Sequence, residues 1–358
     1  MMKMKKQTQR LFSIMLCTVM SLGIIPIAKA ETVKTYAIEP QYDYASSFSE
    51  GLATVTDDGK YGFINKAGKK VIAMKYDTGY APESFSEGLA AVSKNGQYGF
   101  INKTGKEVIS LQYDYANSFS EGLAPVYKNG RSGFIDKRGR EVISLKYSWV
   151  GSYSEGLAAV GMGEMFDVHV AEPTEMKRGQ YGFIDKTGKT VIAMKYDLAL
   201  PFSEGLAAVW KDGKYGFINK TGKTAVALKY DTALPFSEGL AAVSKNGKYG
   251  FIDKTGKIVV ALKYDAARPF SEGLAVVSKD GKYGFINKAG KTAVALKYDS
   301  ALPFSEGLAV VSKDGKYGFI DKTGKTIVAL KYDWALPFSE GLAAVWKDGK
   351  CGFLTVQG

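Results

Sequence analysis

Histidine is almost missing from this chain: there is one, His169, in 358 residues. A catalytic triad or a histidine-ligated metal centre therefore has a single place to be built. Cysteine is nearly as scarce, with Cys17 and Cys351 alone. No disulfide framework follows from two, so stability has to come from packing. The chain also lacks a Gly-Lys-Ser/Thr phosphate loop, a Gly-x-Ser-x-Gly elbow, a His-Glu-x-x-His pair and any paired-Cys motif. These absences speak against an enzyme, and the sequence assigns no catalytic residue, no metal ligand and no cofactor.

Long apolar runs are absent too, except one. Lys3, Lys5, Lys6 and Arg10 lead into an apolar stretch from Leu11 to Ile27, and Ala28-Lys29-Ala30 supplies small residues around a cleavage point. This order of charge, apolar run and small residues is that of an export signal, which places the cut after Ala30 and makes 1–30 a removed segment. The rival reading, an uncleaved anchor, is disfavoured because the run is short for a bilayer and Pro26 interrupts it. Cys17 follows the bulky Leu16, which excludes a lipoprotein signal. Cleavage would leave Cys351 as the lone thiol, read as a small buried hydrophobe, and no transmembrane segment beyond it. The formal charge falls from +12 to +7 once the five basic residues of the first thirty are gone.

What the chain has in abundance is repetition. Ser-Glu-Gly-Leu recurs nine times, with its glycine at Gly51, Gly88, Gly122, Gly156, Gly205, Gly239, Gly273, Gly307 and Gly341. The period is 34 residues, broken by insertions of 3 and 15. Within the unit that starts at Gly239, Leu240 to Lys245 reads as a strand, Asn246-Gly247 as a two-residue hairpin turn, and Lys248 to Asp253 as a second strand. Thr255-Gly256 marks a bulged turn, and Ile258 to Tyr264 a third strand. Gly250 in the second strand predicts the close approach of a neighbouring backbone or ring. Comparing units, the slots of Ala241 and Val243 are constant while the slot between them varies among Thr54, Ala91, Pro125 and Val276, so one face is expected to be packed and the other free.

The fold class is therefore all-β, nine three-stranded antiparallel units in tandem. Residues 35–42 read as a third strand lacking its first two, and Leu342 to Phe353 as a first and second strand lacking a third. That offset allows the ends to pair and close a propeller-like ring, in which no edge is left open. An open, curved β-solenoid is the alternative, because three strands and nine units are unusual for propeller blades.

The recurring Lys-Tyr-Gly-Phe-Ile, at Lys60 to Ile64, Lys214 to Ile218 and Lys248 to Ile252, followed by Asp or Asn and a glycine turn, resembles the bacterial WG-repeat (KWG-repeat) family. The resemblance covers residues 31–358 as one domain, with an insertion at about 161–178. It departs from the family name, since Tyr, Ser132 or Cys351 stands before the glycine where the name has Trp. It implies all-β tandem repeats in bacteria, without assigned catalytic residues, serving in interactions. Together with the signal it gives an expectation of an exported protein, secreted or held at the cell envelope, that offers a rigid surface to a protein partner or a cell-wall polymer.

Candidate contact residues lie where the units differ. One slot just after the third strand holds Tyr44, Tyr115, Trp149 and Trp334 but elsewhere Thr, Leu, Ala or Ser, and another holds Trp210 and Trp346 where other units have Ser or Tyr127. Exposed rings flanked by lysine would stack on sugars or grip a partner's side chains, so a glycan-binding module is the alternative function. A hydrolase working through the 161–178 insertion, with His169 and Glu164, is a lesser one, and a metal site at Asp167 and His169 is weighed and set aside. A calcium ladder is rejected because the Asp253 slot accepts Asn65, Asn102, Asn219 and Asn287, which suits a side chain bonding its own turn. The Glu of each Ser-Glu-Gly-Leu is expected to pair with lysine or cap a loop. Dispersed lysines on an exported chain make nucleic acid a poor partner.

Overall fold

The computed structural model describes residues 36–78, 84–163 and 180–355. The segment expected to be an export signal, His169, Glu164, Asp167 and nearly all of the 161–178 insertion lie outside these residues. Every element described is a strand, and no described helix is long and apolar enough to cross a membrane.

Asn246 and Gly247, at φ +52° and +72°, form the left-handed two-residue turn that joins Leu240–Lys245 to Lys248–Asp253. The Asp253 carboxylate then accepts the N–H groups of Thr255 and Lys257 at 2.9 and 3.0 Å, which fixes the bulged turn into Ile258–Tyr264. Both turns follow the sequence reading. The glycine approach does as well: a Cβ on Gly250 would lie 2.4 Å from the Val260 carbonyl oxygen, where the third strand shifts register against the second.

Ser-Glu-Gly-Leu is itself a hairpin. Ser237 and Leu240 bond each other across Glu238 and Gly239, which sit at φ +54° and +86°. The turn folds Thr232-Ala233 back on the first strand, pairing them with Ser244 and Val243. Among the described residues eight units thus gain a two-residue strand, and eight of the nine sheets have four strands. The ninth has three described strands, 89–94, 97–102 and 107–113, and its fourth position falls at the undescribed residues 79–83.

The nine sheets stand in a ring. At every joint the serine hydroxyl of one blade donates to the carbonyl of the aromatic residue before the next blade's serine, at 2.7–2.8 Å, from Ser49 to Phe85 round to Ser339 and Phe48. Bonds this short between neighbours at all nine joints place these turns and the two-residue strands at the hub. The third strands form the rim, where Val71, Val108, Val142, Val191 and Val259 are exposed.

The ring is closed by the offset of the ends. Tyr36–Tyr42 supplies the third strand of the sheet made by Leu342–Lys347 and Lys350–Thr355, with Tyr42 opposite Cys351 and Ile38 opposite Phe353. Even the glycine approach recurs across this seam, since a Cβ on Gly352 would lie 2.5 Å from the Ile38 carbonyl oxygen. The fold is a nine-bladed β-propeller, and the solenoid alternative falls.

The core is divided among the joints. Leu240 and Ala242 pack with Phe270, Ala275 and Val277 of the following blade, whereas Ala241 and Val243 pack with Leu206 and Phe217 of the preceding one. The expectation of one packed and one free face is therefore wrong. Thr54, Ala91, Pro125 and Val276 vary within a buried joint, because a first strand lies between two blades and both of its faces are covered. At each joint two aromatic rings meet with centroids 4.7–4.9 Å apart, as Phe251 meets Phe270, worth about 0.5–1.5 kcal/mol beyond their buried area.

Candidate interaction face

First strands run from Ser-Glu-Gly-Leu to the Asn/Asp-Gly turn and second strands return, so the propeller has two unlike faces. The first holds the glutamate turns. The Oε2 of each glutamate accepts the N–H of the next blade's Ser-Glu-Gly-Leu glycine at 2.9–3.1 Å, closing with Glu340 and Gly51. Eight of these carboxylates also meet a lysine of that next blade at 3.0–3.2 Å, as Glu204 meets Lys254. Glu306 is exposed, and its lysine slot is occupied by Val356, outside the described residues. Both expected roles of this glutamate, pairing and capping, are filled at once.

The second face holds the Asn/Asp-Gly turns and the variable aromatic residues. The two slots, twelve residues apart in the chain, are cross-strand partners. Trp334 pairs with Trp346, Tyr115 with Tyr127, Trp149 with Gly161, Leu198 with Trp210 and Tyr44 with Thr56. The structure brings Tyr44 and Trp346 together at the closing joint, their rings 5.8 Å apart across the seam, while Trp334, the strand partner of Trp346, turns to Tyr317 of the preceding blade. There the Trp346 indole N–H donates to the Asp43 carbonyl at 3.3 Å. Tyr115, Trp149 and Trp210 stand apart, one to a blade.

These six rings are half-buried, not exposed as the sequence suggested. For four of them the cause is the recurring tyrosine of the second strand, with Trp334 on Tyr317 at 4.7 Å, Tyr115 on Tyr98 at 5.2 Å, Trp149 on Tyr181 at 5.6 Å and Trp210 on Tyr215 at 6.2 Å, whereas Tyr44 and Trp346 cover each other. Burial pushes the Tyr44 phenol above its ordinary range.

Charge on this face is arranged by blade. In six blades the aspartate at the end of the third strand accepts from the lysine that opens the second strand, as Asp265 does from Lys248 at 2.6 Å, and Asp265 also accepts from the next blade's turn, the Asp280 N–H at 2.7 Å. The lysine hydrogen bond holds Asp231, Asp265, Asp299 and Asp333 below the usual carboxylate range. The lysine ending the third strand, such as Lys263, lies over the adjacent tyrosine ring at 5.3 Å. The lysine before the turn is left over: Lys245, Lys279, Lys313 and Lys347 are exposed and make no ion pair.

Sequence reasoning missed these lysines, because nothing in Lys-Asn-Gly-Lys tells the paired cation from the bare one. It also missed a third variable slot beside the hub, filled by Leu200, Leu234, Arg268, Leu302 and Leu336 in consecutive blades. Arg268, half-buried in that slot, has its guanidinium pKa lowered by burial. The signal was present as Ala-Arg-Pro-Phe among copies of Ala-Leu-Pro-Phe.

Comparison with known sequences decides the family. The WG containing repeat matches nine times, at residues 34–61, 61–98, 98–131, 133–165, 181–215, 215–249, 249–283, 283–317 and 317–351. The chain belongs to the WG-repeat family. Among curated proteins, none matches it in sequence. Among solved structures, a eukaryotic initiation factor is similar over 84% of this chain and 89% of its own, at 12% identity and a TM-score of 0.58. Apo AztD from Citrobacter koseri aligns over 79% and 92% at 13% identity with a TM-score of 0.39. The dihydro-heme d1 dehydrogenase NirN aligns over 80% and 74% at 14% identity with a TM-score of 0.47. At such identity the first of these likenesses speaks to the fold of this WG-repeat protein and to nothing more.

Proposed function

We propose that this WG-repeat protein is an exported, non-enzymatic propeller that presents its aromatic-bearing face to a partner at the bacterial cell envelope. The observation that carries the reading is the division between the faces: one repeats the same bonds at every joint, while the chain's aromatic variation is concentrated on the other. A rigid frame with variation confined to one surface suits recognition. The signal-like segment at 1–30 supports export, and amino-terminal sequencing of the mature protein should begin at Glu31.

Retention on isolated cell envelopes tests the role. Binding by the mature protein that is weakened by Trp334→Ala with Trp346→Ala is expected, and the absence of any retention would sink the proposal. A second reading, a glycan-binding module, is favoured by one specific observation, the Tyr44 and Trp346 ring pair at the closing joint, with Trp334 on the neighbouring strand. Retention on purified wall polysaccharide that survives high salt and is lost with those tryptophans distinguishes it from docking to a protein.

A further inference from the structure

The chain has eight asparagines, and the structure divides them into two kinds. Five are half-buried with the side-chain carbonyl tied. Asn65, Asn102, Asn219 and Asn287 each accept two backbone N–H groups of their own bulged turn, as Asn219 does from Thr221 and Lys223 at 3.0 Å. Asn117 accepts the Tyr115 hydroxyl at 2.9 Å. The other three, Asn95, Asn129 and Asn246, are exposed at the tips of the two-residue turns on the aromatic face. Only their backbone N–H is used, donated to Asp77, Asp114 and Asp231 of the preceding blade. Their carboxamides bond to nothing among the described residues. Each is followed by a glycine, Gly96, Gly130 or Gly247, whereas the tied five are followed by lysine or serine.

We propose that Asn95, Asn129 and Asn246 are sites of spontaneous deamidation, at which the mature protein gains negative charge on its aromatic face without help from an enzyme. The step balances with water alone. The backbone nitrogen of Gly247 loses its proton and bonds to the Asn246 side-chain carbonyl carbon, and the bond from that carbon to the side-chain nitrogen breaks to release ammonia. Water then opens the five-membered imide at one carbonyl to give aspartate, or at the other to give isoaspartate. Glycine favours ring closure because it has no Cβ to crowd the attacking nitrogen. An exposed tip flexes to bring that nitrogen onto the carbon, and a carboxamide without partners gives up no bond in doing so.

The frame already accommodates one of the two products. The same slot holds Asp58, Asp212, Asp280, Asp314 and Asp348 in five other blades, at φ +48° to +53° against +51° to +53° for the three asparagines. There too the turn N–H is held by the preceding blade, as Asp280 is by Asp265 at 2.7 Å. Aspartate therefore replaces asparagine with no bond changed. Isoaspartate does not fit, for it adds one atom to the backbone of a turn whose flanking residues, Lys245 and Lys248, are already paired. Three such events take three units from the formal charge of +7 carried by residues 31–358.

The experiment incubates the full mature chain at 37 °C, at pH 6 and at pH 8, and follows it by native isoelectric focusing, ammonia release and peptide mass mapping. Successive acidic steps of one charge each are expected, with one ammonia per step and the change confined to Asn95, Asn129 and Asn246. They should come faster at pH 8, because the attacking nitrogen has to lose a proton. A variant with Asn95→Asp, Asn129→Asp and Asn246→Asp together should start at the final band, stay there, and melt as the fresh protein does.

An unchanged focusing pattern after weeks at pH 8 overturns the proposal. So does modification of Asn65, Asn102, Asn117, Asn219 or Asn287 to the same extent, since the free carboxamide and the following glycine would then select nothing. Equal rates at pH 6 and pH 8 overturn the route through the imide, and a triple variant that melts well below the fresh protein overturns the fit of aspartate.

Discussion

The two faces of the propeller are built from the same nine repeats and follow opposite rules. On the glutamate face a change in one blade breaks a bond to the next, because Ser237 holds Phe270, and Glu238 holds both Gly273 and Lys288. On the aromatic face the cross-strand pair can be Trp334 with Trp346 or Ser300 with Ser312, and the blade is otherwise the same. The lesson is that the joint bonds of the serine and glutamate tolerate no exchange, while the cross-strand pair on the aromatic face does.

The comparison is most severely tested at the seam. A chain beginning at Asp43 removes the buried Ile38 and Tyr42, at about 1.5–3 kcal/mol each, and leaves an unpaired edge on Lys350–Thr355. Cys351 reports the outcome, for burial raises its thiol pKa far above the ordinary value and keeps it inert in the closed ring. In the intact chain it should react with a thiol reagent only on unfolding, and in the shortened chain at once. Equal protection in both would show that closure contributes nothing.

Smaller changes sharpen the contrast. Gly250→Ala pushes a Cβ into the Val260 carbonyl and should destabilise by about 1–3 kcal/mol in denaturant unfolding. Ser237→Ala should cost about 1 kcal/mol, and Ser49→Ala the same, since the lock is equivalent at every joint. Trp210→Ser, which installs the residue that Ser244 and Ser278 already represent, should cost less than Ser237→Ala; a larger loss would mean that the variable face is also part of the lock.

The weakest expected effect is on acidity. Asp231, Asp265, Asp299 and Asp333 titrate below their unfolded value, near 3.9, because a lysine bonds the charged form. Their contribution is complete above that value and drains away as pH falls through the lower folded one. These carboxylates are solvent-exposed and screened, so a melting-temperature profile from pH 7 to 5 should be flat on their account, with decline confined below about pH 4.

Much of the architecture was legible because local chemistry is strict. Asn246-Gly247 permits little but a left-handed turn, Gly250 announces a crowded backbone, and the phase of the repeats foretold which ends would meet. Three things were hidden. The two-residue strand is too short to carry a periodicity, and Ser-Glu-Gly-Leu does not look like a turn with φ +54° on a glutamate, a conformation rarely met outside glycine. Without that turn, the pairing of Trp334 with Trp346 cannot be inferred, and two variable slots stay separate. Nor does composition separate Lys245 from Lys248, one free and one bonded, although three positions divide them.

The strand at 36–42 also sets an order of events. During synthesis it leaves the ribosome before any blade exists, and its partner around Lys350, 307 positions after Asp43, comes near the end. Eight sheets can form as they emerge, but the ninth has to wait for both extremities. Two nascent molecules side by side can trade that strand, since neither distinguishes its own from its neighbour's, and intertwined pairs should therefore grow in proportion as expression rises.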